Sequence, residues 1–140
     1  MSVYLDASAL VSWYVPDANS TQADAFLAGE LQPTVSDLTL AEVANALIRR
    51  RKQGVYPAAV VATVLAKMDQ QVADGRLLVE PLPRTIFADA RALAERVPNH
   101  LRTADALHLA MAKRLGLPIA SFDAGLRAAA LMDGIRIRPA

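Results

Sequence analysis

The spacing of hydrophobic and polar positions changes period several times along the chain, and each change marks an element. Val3, Tyr4 and Leu5 form a short apolar run that Asp6 halts, as in a buried strand, and a helical pattern takes over at Ala7. Residues 16–20 read as a loop, 21–27 as a short helix and 33–36 as a second strand. Leu40, Val43, Ala44, Leu47 and Ile48 then share one helical face, and Gly54 ends that run as a left-handed cap. Val61, Val64, Leu65, Met68 and Val72 trace another helix from about residue 58 to just before Gly75. A strand at 76–80 is closed by Pro81 and Pro83. An alanine-rich helix follows at 85–97, with Phe87, Ala90, Leu93 and Ala94 as its buried stripe. The pattern closes with a helix at 103–115 stopped by Gly116 and Pro118, a strand at 118–121, a helix at 123–131 and a strand at 135–137.

Short apolar strands alternating with helices predict an α/β layered fold with a mostly parallel sheet. No repeat, linker or low-complexity stretch divides residues 1–140, so a single domain is expected. At 54% hydrophobic and 21% charged residues the chain can bury a core, which excludes a disordered polyampholyte. The absence of cysteine removes disulfides, thiolate zinc sites and thiol catalysis together. No apolar run is long enough to cross a bilayer, and the N-terminus lacks a basic segment before Asp6. A soluble, cytoplasmic protein without a membrane partner is expected. Net charge is only +1 and aromatics are 5%, so there is neither a broad basic field nor a set of base-stacking platforms. Any nucleic acid would be held by its backbone.

Four acids change the picture. Asp6 follows the first strand, Asp123 follows the strand at 118–121, Asp105 lies in the first turn of its helix beside Thr103, and Glu42 lies one turn into the helix after the second strand. Ligands of open α/β sheets bind outside the carboxyl ends of strands, so the four can converge on one rim. Brought together they would repel one another, and Mg²⁺ or Mn²⁺ would neutralise them. Each also has a local reading. Asp6 and Asp123 suit N-caps, Asp105 suits the positive end of its helix with Thr103 as cap, and Thr39-Leu40-Ala41-Glu42 matches a capping box.

The neighbourhoods carry more than the spacing. Leu5-Asp6-Ala7-Ser8-Ala9-Leu10, Ala41-Glu42-Val43-Ala44-Asn45-Ala46-Leu47, Arg102-Thr103-Ala104-Asp105-Ala106-Leu107-His108-Leu109-Ala110 and Ser121-Phe122-Asp123 occur in that order. From residue 3 to about 137 the chain resembles the PIN-domain nucleases and, within them, the VapC-type toxins of toxin–antitoxin pairs. The resemblance implies a PIN-like three-layer fold with helices flanking the central sheet. It also makes Asp6, Glu42, Asp105 and Asp123 the acidic quartet, with Asp6 and Asp105 direct metal ligands and Glu42 and Asp123 completing the site directly or through water. Ser8 matches the hydroxyl position beside the first acid and Ser121 the small hydroxyl residue two before the last; either also suits a local cap.

Asn45 lies one turn beyond Glu42 on the same face and can orient it or touch substrate. Arg102 suits phosphate or a neighbouring acid. His108, one turn after Asp105, reads as a hydrogen-bonded histidine in an apolar helix rather than as a ligand, because carboxylates already suit a hard cation. The run Arg49-Arg50-Arg51-Lys52 is either a solvated helix end or an edge for RNA phosphates. Trp13 and Tyr14 read as core or interface; with Leu47 they would offer an antitoxin groove.

By resemblance the activity is an Mg²⁺-dependent endoribonuclease that hydrolyses tRNA, rRNA or mRNA with an activated water and leaves 5′-phosphate and 3′-hydroxyl ends. The partner implied is a VapB-type antitoxin. The toxin would be a homodimer, joined with antitoxin into a heterotetramer or larger, and would reach operator DNA only through that antitoxin. Two other classes compete: a non-catalytic acidic pocket that receives an arginine, and a housekeeping PIN nuclease. A HAD-like phosphohydrolase fails because Ser8 stands where its second aspartate belongs.

Overall fold

The computed structural model describes residues 1–28 and 31–140. Five parallel strands form one sheet in the order β3-β2-β1-β4-β5: β1 (Ser2–Leu5), β2 (Gln32–Ser36), β3 (Leu78–Glu80), β4 (Ile119–Ala120) and β5 (Ile137–Arg138). The helices are α1 (Ala7–Tyr14), α2 (Ser20–Leu27), α3 (Asp37–Lys52), α4 (Ala58–Ala73), α5 (Ile86–Arg96), α6 (Thr103–Leu115) and α7 (Ala124–Met132). The alternation read from the sequence thus yields a three-layer α/β fold.

The two-residue period of β1 divides the interior. Val3 and Leu5 pack with α1 to α4 through Leu10, Val43, Leu47, Val61 and Met68. Tyr4 points to the other face, among Leu93, Leu109, Met111 and Leu126 of α5 to α7. All three strand residues are fully buried, as expected for a central parallel strand. None of the helices is long and apolar enough to cross a membrane, among the described residues.

Strand order turns at β1. The chain winds outward through β2 and β3, then returns to lay β4 on the other side of β1. Such a reversal opens a crevice between the loops leaving the two central strands. Pairing of Leu5 with Ala120 carries the next residues, Asp6 and Ser121, to the mouth of that crevice.

Three local expectations are corrected. The buried stripe of α5 is Ile86, Ala90 and Leu93, continued by the capping Val97, while Phe87 is 55% exposed. Ala90 and Leu93 are buried as read, whereas Phe87 and Ala94 face outward and Ile86 takes the inner place against α6. Helix α3 starts at Asp37, and its capping box joins Ser36 to Thr39, so Glu42 has no capping duty. The N-cap of α6 is Arg102 in an extended conformation, without a side-chain bond, so Thr103 does not cap the helix carrying Asp105. By contrast, Gly54 follows the end of α3 at φ 76°, as its spacing predicts.

Candidate active site

A cleft of about 360 Å³ opens over the crevice, and Asp6, Glu42, Asp105 and Asp123 all line it. Each arrives by a different route: Asp6 from the end of β1, Glu42 from the second turn of α3, Asp105 from the first turn of α6, and Asp123 from the turn between β4 and α7. Ser8, Asn45, Arg102 and His108 complete the wall with Arg49. Ser121 does not reach the cleft surface. It is fully buried behind Asp6.

Asp6 is the most constrained of the four. Its Oδ1 accepts the Ala9 amide at 3.0 Å and the Ser8 hydroxyl at 2.7 Å, and its Oδ2 accepts the Ser121 hydroxyl at 2.5 Å. It therefore caps α1 and belongs to the cleft at once. Burial pushes its carboxyl above the ordinary carboxylate range, while the donors from Ser121, Ala9 and Ser8 pull the other way. Ser8 in turn accepts the Phe122 amide at 3.0 Å, and Ser121 accepts the Asp123 amide at 3.1 Å. The two serines thus tie the turn after β4 to the turn after β1.

Asp123 caps α7 by accepting the Leu126 amide at 2.8 Å on Oδ1. Asp105 is half-buried and makes no such bond. Burial raises its carboxyl first, repulsion from Asp123 next and from Asp6 less, with the Arg102 guanidinium opposing them. Asp105 thus lies within electrostatic reach of both Asp123 and Asp6.

Glu42 meets the ring of His108, Oε1 against Nε2. His108 is 1% exposed, and its Nδ1 lies 2.7 Å from the Tyr4 hydroxyl. The reading of His108 as a hydrogen-bonded histidine in an apolar helix fits this burial, yet its outer nitrogen reaches an acid of the cleft. Tyr4 escaped the reading of the sequence. Its signal was there: a tyrosine inside a buried strand needs a partner for its hydroxyl.

The basic run splits as a helix must split it. Arg49 lines the cleft, Arg50 lies over the Tyr56 ring at 5.7 Å, and Arg51 and Lys52 are exposed. A hollow does lie between α1 and α3 beside the cleft, lined by Val11, Ser12, Ala46 and Arg50, but Trp13, Tyr14 and Leu47 do not line it. Leu47 is fully buried, Tyr14 donates to Gln71 of α4 at 2.5 Å, and Trp13 lines a separate hollow with Gln32 and Arg76 at the amino edge of the sheet.

The residues 3–131 match the PIN domain family model. The chain belongs to the PIN domain family. A search of curated proteins found no match. Among solved structures, this PIN domain is similar to VapC20 of Mycobacterium tuberculosis, a sarcin–ricin loop cleaving toxin. The TM-score is 0.72 at 20% identity, over 91% of this chain and 94% of that one. FitAcB from Neisseria gonorrhoeae gives 0.70 at 21% identity, over 98% and 96%. VapBC2 from Rickettsia felis, bound to a DNA fragment from its promoter, gives 0.69 at 13%, over 99% and 98%. At such identities the likeness is one of fold.

Among the described residues of this PIN domain, no three acid or histidine side chains converge closely enough to enclose an ion. Asp6 is held by two serines, Glu42 by His108, and Asp123 by its own helix. The chemistry of the set still suits a hard divalent cation. The four carboxylates are oxygen donors around one cleft, and Asp105 stands under the repulsion that such a charge would relieve.

Proposed function

We propose that this PIN domain is a metal-dependent endoribonuclease acting as the toxin of a VapBC-type toxin–antitoxin pair. The observation that carries the reading is the meeting of Asp6, Glu42, Asp105 and Asp123, from four segments, around one cleft. The toxins and toxin–antitoxin complexes among the structures of like fold support it.

In this reading Asp6 and Asp105 hold Mg²⁺, or Mn²⁺, with Glu42 and Asp123 joining directly or through water. Bound there, the cation would supply positive charge at the scissile phosphate and a lowered pKa for the attacking water. Ser8 and Ser121 hold the Asp6 carboxylate in one orientation. Glu42 or Asp123, at the rim, takes the proton from the water. Arg102 and Arg49 face the same cleft and bind phosphates beside the reacting one, while Asn45 steadies Glu42 or the substrate. Because water is the nucleophile, the RNA 2′-hydroxyl has no chemical part, and the ends formed are 5′-phosphate and 3′-hydroxyl. The substrate is tRNA, rRNA or mRNA. The partner is a VapB-type antitoxin that carries the toxin homodimer to operator DNA.

The test is cleavage of a panel of tRNA, rRNA and mRNA by the purified protein, with Mg²⁺, Mn²⁺ or chelator. The expected result is chelator-sensitive cutting that Asp105→Asn abolishes. Undiminished cutting by a folded Asp105→Asn protein, with metal controlled, overturns the reading. A folded wild type that cuts nothing but binds an arginine-bearing peptide favours the non-catalytic pocket instead.

A further inference from the structure

For a neutral imidazole beside a carboxylate, the hydrogen bonds around Tyr4 have one proton arrangement, in which the 3.5 Å contact between the Tyr4 and Thr39 hydroxyls carries no proton. The Thr39 hydroxyl donates to the Leu5 carbonyl at 3.1 Å and accepts the Ser36 amide at 3.3 Å. In the capping box the Ser36 hydroxyl oxygen accepts the Thr39 amide. Its own proton then goes to the Tyr4 oxygen, 2.9 Å away. Tyr4 is left to donate to His108 Nδ1 at 2.7 Å. With Nδ1 the acceptor, the imidazole proton sits on Nε2 and is donated to Glu42.

We propose that His108, oriented from the core by Tyr4, is a positioning residue that fixes the Glu42 carboxylate over the acidic cleft. The inference rests on the functional reading of Glu42 above. The geometry singles out this role because the two ends of the imidazole face different worlds. Nδ1 is locked to a fully buried strand residue, and Nε2 reaches a part-exposed carboxylate on a helix from the opposite face of the sheet. A ring held at both nitrogens cannot rotate without breaking both bonds. Glu42 therefore has a fixed donor rather than a free rotor, and its second oxygen is left for a cation or a water. Partners of this kind typically change metal affinity or activity by about 10–100-fold when removed.

The experiment compares two amides that differ in reach. Asparagine places its nitrogen near the position of Nδ1 and glutamine near that of Nε2, so only His108→Gln keeps a donor for Glu42. Mn²⁺ affinity is read by thermal shift without RNA, and kcat and KM are read with it. Expected for His108→Asn is a roughly tenfold or greater loss of Mn²⁺ affinity and a fall in kcat with little change in KM. His108→Gln should recover most of both losses. ¹⁵N NMR of wild-type His108 should find the proton on Nε2. A proton found only on Nδ1 overturns the inference, as does a folded His108→Asn that binds Mn²⁺ like wild type. Should His108→Asn not fold, Tyr4→Phe carries the test: about threefold or more weaker Mn²⁺ binding supports the inference, and unchanged binding overturns it. Wild type that binds Mn²⁺ tightly but cuts no RNA removes the functional reading and leaves the binding test decisive. Wild type that neither cuts nor binds removes both.

Discussion

Ser121 stands one step beyond the last paired residues of β1 and β4, and its hydroxyl donates to Asp6 Oδ2 at 2.5 Å. The contact spans 115 positions of sequence and closes the crevice floor between the two central strands. It makes Asp6 a structural acid as well as a cleft acid, which separates its mutants from those of Asp105.

For Asp6 the substitution to alanine removes the α1 cap and strands two hydroxyl donors. A net loss of about 2 kcal/mol is expected, since a cap contributes about 1 kcal/mol and bonds to a charged acceptor more. Asp6→Asn, which keeps an acceptor oxygen, should lose less than half of that. Urea midpoints of the three metal-free proteins, taken at equal slope, check the order.

Asp105 should behave oppositely. Its carboxyl is raised by burial and by Asp123, so the native state binds its proton more tightly than the unfolded chain does. Stability then rises as pH falls from the raised native value toward the unfolded one near 4, and is lower above that window. Without metal, Asp105→Asn is expected to melt at or above wild type. The gain is up to about 1 kcal/mol at neutral pH, because a half-buried carboxylate is partly screened. Mn²⁺ should then raise the wild-type midpoint more than the mutant's. Thermal melts at neutral pH with chelator or Mn²⁺ read both effects.

Asp133, at the end of α7, ties two other helices. Arg96 of α5 donates to both its oxygens at 3.0 Å, and Lys113 of α6 donates to Oδ2 at 2.8 Å. Those donors, Arg96 foremost, hold its carboxyl below the ordinary range. The stabilisation is therefore complete above the unfolded value near 4 and is lost as pH falls through the lowered native one. Asp133→Asn should cost about 1 kcal/mol at pH 7 and progressively less as pH falls through that lowered native value. Denaturation curves across that range should converge at the acid end.

Arg127 of α7 donates to the carbonyls of Ser121, Arg138 and Pro139, at 3.0, 3.2 and 2.8 Å. It holds the turn that presents Ser121 and Asp123. Arg127→Leu should cost about 2 kcal/mol, as bonds from a charged donor are lost and the carbonyls go unpaired. Faster hydrogen exchange at the Phe122 and Asp123 amides, with the α4 amides unchanged, would mark the loosening as local.

The acidic cleft also suits a guanidinium, which is always charged and pairs two donors with a carboxylate. An antitoxin that inhibits by placing an arginine among Asp6, Glu42, Asp105 and Asp123 should compete with cation. Its affinity is expected to weaken as Mg²⁺ rises at fixed ionic strength, by isothermal titration. An affinity indifferent to Mg²⁺ would place the inhibitor elsewhere.

Much of this protein is written in short-range chemistry. Where a strand ends and a helix begins depends on neighbouring residues, so the apolar run stopped by Asp6 and the helical face of Val43 and Leu47 were legible in the sequence, as was the left-handed Gly54. The four acids stood out by the residues around each, a resemblance spread over four segments, while their sharing of one cleft comes from the fold. Helical phase was less secure. Ile86 and Phe87 are adjacent and both apolar, and only packing against α6 chose Ile86 for the interior. The long-range pairings lay wholly in the tertiary structure. Tyr4 reaches Ser36 across 32 positions and His108 across 104, and His108 reaches Glu42 across 66. No local pattern records such distances. They follow from the order in which the strands pair, which is settled by burying both faces of one sheet at once.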